Sequence, residues 1–460
     1  MEERYGSLAG AGSSLPSLGI LFLAAVTRQH GFPTVLVDAA ALNLDPDGLL
    51  ARVKAARPDV LGLSATTFSI YHAAAFAVRV REILPDITVI IGGPHVSAAP
   101  LETMERFPEF DVAVIGEGEE TTIELLKALD SGAALNAISG IVMRRAGAVV
   151  SNGRRPFLAD LDTLPYPAWD LLEGFPGLYP PATFKVKKLP AASLVTSRGC
   201  PNRCIFCDRS VFGSNCHAFS AEYVVGMIRH LVEQFGIREF SFEDDTFITF
   251  KKRLVTICQG IIDLGLQISW TCLGRVNGID AESLALMKRA GCWQISFGIE
   301  SGSQEILAAI HKNVTLEQIG RAVILCRDAG ILSKGFFIVG HPGETKNTLK
   351  QTLDFALKLP LDDISVTMLT PFPGTEIYER AAEFGEFDSD WSRMNLLNTV
   401  FIPHGLTQED LEQNQREMLR QFYLRPRIFL GYLRRLVANP AMFRGLAAGG
   451  SAFFRSVRKA

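Results

Sequence analysis

Short apolar runs alternate with amphipathic segments through the first third of the chain. We predict these elements in order: a helix at 18–30, a strand at 34–38, a helix at 45–56, a strand at 59–64, a helix at 69–84, a strand at 87–92, a short helix after residue 99, a strand at 111–115, a helix at 119–129 and a hairpin at 138–151. Continuously apolar strands between amphipathic helices are typical of a parallel sheet covered on both faces. The pattern predicts an α/β unit with a flavodoxin-like, doubly wound parallel sheet.

The second half repeats a strand followed by a helix. We predict strands at 193–196, 239–243, 267–272, 294–299, 334–339 and 364–369, and helices at 221–235, 251–264, 281–290, 316–329 and 345–359. In barrels built from such repeats, active groups lie at the carboxyl ends of the strands. After about residue 405 the chain becomes helical, and Thr407 is the expected cap of a helix over 408–423.

Composition narrows the function classes. The chain has 460 residues, of which 48% are hydrophobic, enough for two or three domains with cores of their own. A net charge of -3 argues against a nucleic-acid partner. We find no signal peptide and no apolar run long enough to span a membrane, and expect a cytoplasmic protein. All eight cysteines lie at or after position 200, and we expect a reducing compartment.

Three cysteines follow the first strand of the second half. Cys200, Cys204 and Cys207 are separated by three and then two residues. Thiolates bind soft metals and iron–sulfur clusters, and three ligands on a four-iron cube leave one iron open for a small molecule. A zinc site is the alternative, with Cys216 or His217 as a fourth ligand.

The cysteine spacing resembles the signature of the radical S-adenosylmethionine (SAM) superfamily. The resemblance implies a 4Fe-4S cluster on the three cysteines and SAM chelated at the open iron. It further implies that an electron from the cluster cleaves SAM to a 5′-deoxyadenosyl radical. The six β/α repeats resemble the partial (β/α)6 TIM-type barrel of these enzymes.

The same resemblance assigns SAM contacts to the strand ends. A carboxylate of the Glu243-Asp-Asp245 run is expected to hold the ammonium group, although the family often has Gly-Gly-Glu there. Arg275 is the candidate for the methionine carboxylate, and Glu300 for the ribose or amino group. The turn around Gly340 resembles the family's adenine-side segment. The predicted SAM contacts are Phe206, Glu243, Asp244, Asp245, Arg275, Glu300, Gly340 and Pro342.

Glycine-rich or polar turns follow three strands of the first unit. Glycines at strand ends let the backbone approach a phosphate or a macrocycle edge. The turns resemble those of the cobalamin-binding domain that precedes many radical SAM enzymes. The predicted cobalamin contacts are Ser64, Thr66, Thr67, Gly92, Gly93, His95, Gly116, Glu117 and Gly118. The Asp-x-His-x-x-Gly motif of a lower axial ligand is absent, and we expect His95 to cap its turn or contact the cofactor's edge.

The predicted boundaries divide the chain into four parts. These are a cobalamin-binding domain at 1–152, a proline-rich linker at 153–190, a radical SAM barrel at 191–400 and a basic helical extension at 401–460. Residues 1–16 are interpreted as a Gly/Ser-rich lead-in. The family's first strand should precede this lead-in, so we expect either a truncated N-terminus or a sheet one strand short. The tail from residue 421 has eight basic and no acidic residues, and it either lies on an anionic membrane surface or packs on the barrel.

The resemblance implies a cobalamin-dependent radical SAM enzyme that methylates an unactivated carbon of a small, lipophilic molecule. An electron donor of flavodoxin or ferredoxin type would reduce the cluster. The tail and the start most resemble relatives of the anaerobic magnesium-protoporphyrin IX monomethyl ester cyclase and of enzymes acting on hopanoids. The alternatives are a radical cyclase or ring-rearranging enzyme without methyl transfer, and a cobalamin- or cluster-binding sensor. A methylthiotransferase is disfavoured because residues 1–199 lack cysteine.

Overall fold

The computed structural model of the protein describes residues 15–181 and 186–438, with side chains as far as residue 433. The predicted lead-in before residue 15 and the last part of the basic tail, 439–460, lie outside the described residues.

The first sheet has five strands in the order β1-β2-β3-β4-β5. They are β1 (Val60–Ser64), β2 (Thr88–Gly92), β3 (Val112–Val114), β4 (Ile141–Arg145) and β5 (Ala148–Ser151). The first three are parallel, so their carboxyl ends share one edge. The predicted hairpin forms β4 and β5 and continues the sheet in antiparallel fashion, which makes the sheet mixed at that side.

Helices cover both faces of this sheet. They are α1 (Leu18–Gln29), α2 (Pro46–Ala56), α3 (Ile70–Ile83), α4 (Pro94–Ala98), α5 (Pro100–Arg106) and α6 (Glu119–Ser131). The doubly wound α/β class predicted for this part of the chain is confirmed.

The strand predicted at 34–38 is wrong, because this segment has no regular secondary structure. Its polar side chains bond to nearby groups instead: Thr34 Oγ1 donates to Phe32 O at 2.9 Å, and Asp38 Oδ1 accepts from the amides of Ala40 and Ala41. Val35 is 72% exposed. Local side-chain bonds of this kind compete with strand pairing.

The second sheet has six parallel strands in the order β13-β12-β11-β10-β9-β6. They are β6 (Ala191–Leu194), β9 (Glu239–Phe242), β10 (Ser269–Gly274), β11 (Cys292–Glu300), β12 (Leu332–Val339) and β13 (Asp363–Met368), while the two-residue β7 (Ser197–Arg198) and β8 (His217–Ala218) pair separately. The intervening helices are α7 (Ala221–Phe235), α8 (Lys251–Asp263), α9 (Ala281–Arg289), α10 (Gln304–Ala309), α11 (Leu316–Asp328) and α12 (Lys346–Lys358). Strands adjacent in sequence are adjacent in the sheet, which confirms the predicted partial barrel.

The chain then returns to the first sheet. After α13 (Glu376–Phe384) comes an antiparallel ribbon of β14 (Gly385–Phe387) and β15 (Phe401–Pro403). The connection between them places Trp391, Met394 and Val400 in the core of the first sheet. In the opposite direction, Phe22 of α1 stacks on Phe219 beside the barrel, with ring centroids 5.7 Å apart. Helix α1 therefore packs on the barrel, and the β14–β15 connection packs on the first sheet.

Two C-terminal helices complete the described part, α14 (Gln408–Tyr423) and α15 (Pro426–Ala438). Thr407 caps α14 as predicted, accepting from the Asp410 amide at 3.2 Å. Gln415 of α14 donates to Val366 O in β13, so this helix packs on the barrel. Among the residues that the structure describes, none belongs to a helix long and apolar enough to cross a membrane.

Candidate active site

The cysteine loop, residues 199–216, follows the first barrel strand and is closed at its base by the pairing of β7 with β8. Cys204 is buried, Cys200 is half-buried and Cys207 is exposed. The loop therefore presents its thiols at the carboxyl end of the barrel, the end at which this architecture places reacting groups.

Cys204 lies among positive charges. Arg275 Nη1 is 3.9 Å from Cys204 Sγ. The hydrogen bond from Cys207, followed by the charges of Lys312 and Arg275, lowers the pKa of Cys204 below its usual value. These surroundings favour the thiolate, which is the form that binds iron.

The donor set does not form a compact single-ion site. Within residues 15–181 and 186–438, no group of three or more His, Cys, Asp or Glu side chains is arranged to hold one metal ion. His217, the candidate fourth zinc ligand, has its Nε2 engaged by Glu117 at 2.9 Å. A four-iron cluster binds each cysteine through a different iron, so its thiolates do not converge on one point. The three cysteines fit such a cluster.

Glu300 ends β11 inside the barrel and is paired with Lys312. Lys312 Nζ lies 2.6 Å from Glu300 Oε1, and the two side chains are 8% and 7% exposed. Glu300 has a φ of 67°, in the left-handed region, next to an irregularity in the pairing of β11 with β12. A buried ion pair on a strained backbone is a common feature of functional sites.

Lys312 was not predicted as a site residue, and it lies in the short connection between α10 and α11. Both neighbours, His311 and Asn313, have positive φ values, 54° and 52°. This backbone turns the Lys312 side chain into the barrel. No spacing or motif marks a lysine whose direction depends on two left-handed neighbours.

Arg275 is part of the same group. Its Nη2 donates to Lys312 O at 2.5 Å, and its buried Nε has no partner in the structure. The side chain is half-buried beside Cys204, so it belongs to the site and is not an ordinary surface arginine.

The three carboxylates after β9 differ in their surroundings. Glu243 and Asp245 are exposed at the strand end. Asp244 is 1% exposed, and its Oδ1 accepts from Thr196 N, Thr196 Oγ1 and Ser197 Oγ. Asp244 therefore braces the end of the first barrel strand, and the two flanking carboxylates are the accessible ones.

The turn after β12 is held by a buried carboxyl group. Glu344 Oε2 accepts from the amides of Gly340, at 2.6 Å, and His341, at 3.1 Å. Burial raises the pKa of Glu344 to about 8 and lowers that of His341, whose ring lies 5.8 Å from the Phe206 ring, to about 3. Pro342 is buried in the same turn. The predicted residues Phe206, Gly340 and Pro342 thus lie in one region.

At the edge of the first sheet, Gly93 requires glycine. Its φ is +101°, and a Cβ there would lie 2.7 Å from both Ala65 O and Ser64 Oγ. Ser64 and Thr66 are exposed, and Gly92 is half-buried. The edge is therefore bare backbone and small side chains, which suits the close approach of a large flat ligand.

His95 belongs to the interior of the first unit. It is 1% exposed, and its Nδ1 and Nε2 each lie 3.2 Å from a threonine hydroxyl, those of Thr67 and Thr103. Its ring meets the Trp391 ring edge-on at 4.3 Å. Burial lowers the pKa of His95 to about 4. With both nitrogens engaged, His95 has none free for a metal, and Thr67 supports it from below the edge.

Glu117 is engaged by the cysteine loop. Its carboxylate accepts from Arg198 at 2.7 Å, from His217 at 2.9 Å and from Leu158 N at 2.8 Å. Glu117 was predicted as a cofactor contact, whereas Arg198, the charged residue directly before Gly199-Cys200, was not predicted as a site residue. A Cβ on Gly116, whose φ is +77°, would lie 3.8 Å from Val211 O in the loop, and a Cβ on Gly118 would lie 3.2 Å from Leu23 of α1.

A second connection joins the loop to the first sheet. Arg154 donates to Ser210 O at 2.5 Å and to Ser97 O in α4 at 3.0 Å. A Cβ on Gly374, after β13, would overlap Ser210 Oγ and lie 3.0 Å from Ala98. The cysteine loop is thus held between the barrel rim and the edge of the first sheet.

Comparison with known families agrees with this arrangement. Residues 194–356 match the radical SAM superfamily model and residues 7–126 match the B12 binding domain model. The chain is 35% identical to an uncharacterized methyltransferase of Pyrococcus horikoshii, over 91% of this chain and 90% of that protein. It is 29% identical to an anaerobic magnesium-protoporphyrin IX monomethyl ester cyclase of Rubrivivax gelatinosus, over 91% of this chain and 75% of that one.

A solved structure has the same fold. The cobalamin-dependent SAM radical enzyme OxsB, with aqua-cobalamin and SAM bound, aligns with a TM-score of 0.74 and 20% identity, covering 95% of this chain and 70% of that one.

Proposed function

Since this chain belongs to the radical SAM enzymes that carry a B12-binding domain, we propose that it is a cobalamin-dependent methyltransferase that methylates an unactivated carbon of a small molecule. The observation that carries the proposal is the cysteine loop held directly against the glycine edge of the first sheet. That arrangement would bring a cluster on the three cysteines and a cobalamin at the glycine edge close to each other.

Cys200, Cys204 and Cys207 would hold the cluster, with Arg275 beside Cys204 stabilising the thiolate charge. Bound in this chain, the cluster supplies the electron that cleaves SAM, and cobalamin supplies the methyl group. The described residues bind, orient and shield these groups. Burial of the site between two sheets would keep water away from reactive species.

The positions of the predicted SAM contacts support a different role for each of them. The accessible carboxylates Glu243 and Asp245 would hold the ammonium group by charge-assisted hydrogen bonds. Arg275 would take the methionine carboxylate together with Lys312, which lies in the same group. Glu300 would accept from the ribose hydroxyls. Asp244 would act only by bracing the loop.

The remaining predicted contacts form two groups, one at the adenine side of the SAM site and one at the edge of the first sheet. Phe206, with the turn at Gly340 and Pro342, would line the adenine side. Ser64, Thr66, Gly92 and Gly93 would form the cobalamin edge together with Gly116 and Gly118. His95, Thr67 and Glu117 would support that edge from within without contacting the cofactor.

A lipophilic substrate fits two features. The cyclase relative acts, by its name, on a protoporphyrin ester. The α15 helix exposes Phe429 at 64%, Leu430 at 50% and Leu433 at 47%, in a tail segment that is basic. Such a helix would bind an anionic membrane surface on which apolar substrates gather. An external electron donor of flavodoxin or ferredoxin type would reduce the cluster held by the cysteine loop.

Ring formation without methyl transfer is the second candidate, favoured by the similarity to the cyclase. The two functions differ in the fate of a labelled methyl group. Anaerobic protein loaded with iron, sulfide and cobalamin would be incubated with reductant, methyl-deuterated SAM and a cell lipid extract. Methylation predicts an extract compound that gains the labelled methyl group. Formation of 5′-deoxyadenosine with a product that lacks the label would overturn methylation in favour of cyclisation.

A further inference from the structure

The two strands at the base of the cysteine loop are fastened to the first sheet by one carboxylate. Arg198 and His217 face each other in the β7–β8 pairing. Both donate to Glu117 Oε1, at 2.7 Å and 2.9 Å. The residues that flank the cysteine loop, one at each end, are therefore both bound to the Glu117 side chain in the turn after β3.

Arg198 reaches a second carboxylate at the start of α6. Its Nη2 donates to Glu119 Oε1 at 2.5 Å, while Nη1 is the group that meets Glu117. The guanidinium side chain is 4% exposed, and the two glutamates are 5% and 6% exposed. A planar guanidinium with fixed donors can bridge two carboxylates at a set angle, which a lysine ammonium cannot do.

Two aromatic rings complete the surroundings of the guanidinium. Its carbon lies 5.4 Å from the centroids of both Phe22, in α1, and Phe212, within the cysteine loop. Arg198 thus contacts α1, the turn after β3 and the loop at once.

Burying such a group is a poor means of adding stability. Removing charges from water costs about as much as their attraction returns, and apolar residues often replace buried ion pairs without loss. A buried guanidinium that bridges two carboxylates does fix one alignment of the segments that it joins. Here Arg198, at the start of the cysteine loop, is joined to the segment of Glu117 and Glu119 beside Gly116 and Gly118.

We propose that Arg198, held by Glu117 and Glu119, is a positioning residue that sets the distance and orientation between the cluster and cobalamin. The inference rests on the proposed function, because it requires that this chain binds both the cluster and cobalamin. It predicts that loss of Arg198 leaves both cofactors bound and disturbs only their relative placement. The uncoupled enzyme would still cleave SAM reductively, whereas the transfer that depends on alignment would decline.

The test compares wild type with Arg198→Met, Arg198→Lys and Glu119→Gln in the reconstituted holoenzyme. The matched control is Lys334→Met, which breaks a pair of similar burial, 5% and 6% exposed and 3.1 Å long, between the first halves of β12 and β13. Pulsed electron paramagnetic resonance measures the distance between the reduced cluster and the cobalt(II) form of cobalamin. Iron and cobalamin contents are measured on the same samples.

We expect one narrow distance in wild type and in Lys334→Met, and a shifted or broadened distribution in Arg198→Met. Arg198→Lys should restore it only in part. The ratio of S-adenosylhomocysteine, the product of methyl loss from SAM, to 5′-deoxyadenosine should fall roughly tenfold or more in Arg198→Met, since a displacement of about 1 Å can cost that much. An unchanged distance and ratio would overturn the inference.

Two further measurements keep the result decisive. If Arg198→Met loses its iron, Glu119→Gln, which preserves side-chain size, is judged by the same criteria. Hydrogen exchange of amides 199–216 needs no bound cofactor, and it should rise in Arg198→Met but not in Lys334→Met. Wild type without any cluster–cobalt signal would contradict the proposed function, whereas unchanged exchange in Arg198→Met would contradict the positioning role itself.

Discussion

The Glu300–Lys312 pair can be disturbed without touching either residue. A Cβ at Gly298 would overlap Glu300 Oε1 and lie 2.8 Å from Lys312 Nζ. The φ of Gly298 is not in the left-handed region, so alanine is compatible with its backbone. Gly298→Ala should therefore fold, keep its iron and form 5′-deoxyadenosine more slowly by roughly ten- to a hundredfold.

The control for this substitution is Gly320→Ala, in α11, where an added Cβ meets nothing within 4 Å. Rates of 5′-deoxyadenosine formation are compared by chromatography at saturating reductant. Equal rates in Gly298→Ala and wild type would mean that the ion pair takes no part in SAM binding or cleavage.

Glu344 links stability to pH. Its pKa is raised by burial from 4.5 to about 8. Between these values the folded chain holds a proton that the unfolded chain has released, so the free energy of unfolding falls as pH rises through this window. Each unit of such a shift corresponds to about 1.4 kcal/mol.

Glu344→Gln stays neutral and keeps an oxygen for the amides of Gly340 and His341. Urea unfolding of both proteins across the window from pH 4.5 to about 8 should show a stability difference that grows in favour of the glutamine variant. A difference that stays constant with pH would show that this carboxyl ionises normally in the folded chain.

At the scale of elements, the ribbon after the barrel stabilises the first sheet. Trp391 is 1% exposed, meets the His95 ring edge-on and lies beneath the Arg106 guanidinium at 4.9 Å. Trp391→Ala should cost about 3–5 kcal/mol of packing energy. Hydrogen exchange should accelerate in α4 and α5 and remain unchanged in β11 and β12. Leu397→Ala, in the same connection and 40% exposed, should change neither region.

Most helices and strands were predictable because the capping residues and the spacing of apolar residues indicated the same elements. Thr345 and Thr407 cap the predicted helices, and each barrel strand lies where a continuous apolar run indicated one. The run at 34–38 failed because Thr34 and Asp38 bond to nearby groups.

The site was predictable only where a motif exists. The cysteine spacing and the apolar strand ending at Glu300 were visible in the sequence. Lys312 and Arg198 were not recognised, because their partners are Glu300 on another strand and Glu117 in another sheet. Trp391 was missed for the same reason, since nothing local reveals that its neighbour is His95. Contacts distant in sequence leave no periodic signal.

At the scale of the whole molecule, two segments, α1 and the connection between β14 and β15, each join one sheet to the other. Helix α1 packs against the barrel through Phe22, and the ribbon near Trp391 packs against the first sheet. The cysteine loop lies between these crossings. The two sheets are therefore expected to act as one unit around the cysteine loop.

The last helix gives the molecule a separate apolar surface. Phe429 and Leu433 are 64% and 47% exposed on α15. Full-length protein should sediment with vesicles that contain phosphatidylserine, and Phe429→Ser with Leu433→Ser should bind at least about tenfold more weakly, since each buried apolar side chain contributes about 1.5–3 kcal/mol. Leu178→Ser, 46% exposed elsewhere, is the control. Equal binding by all three proteins would contradict membrane contact through α15.

The central claim is that Cys200, Cys204 and Cys207 hold a cluster that reduces bound SAM. The most direct test is to incubate anaerobically reconstituted protein with SAM and dithionite and to measure 5′-deoxyadenosine by mass spectrometry, alongside Cys204→Ala. We predict about four irons per chain and steady formation of 5′-deoxyadenosine in wild type, and the loss of both in Cys204→Ala. Zinc in place of iron, or equal 5′-deoxyadenosine from Cys204→Ala and wild type, would contradict the account.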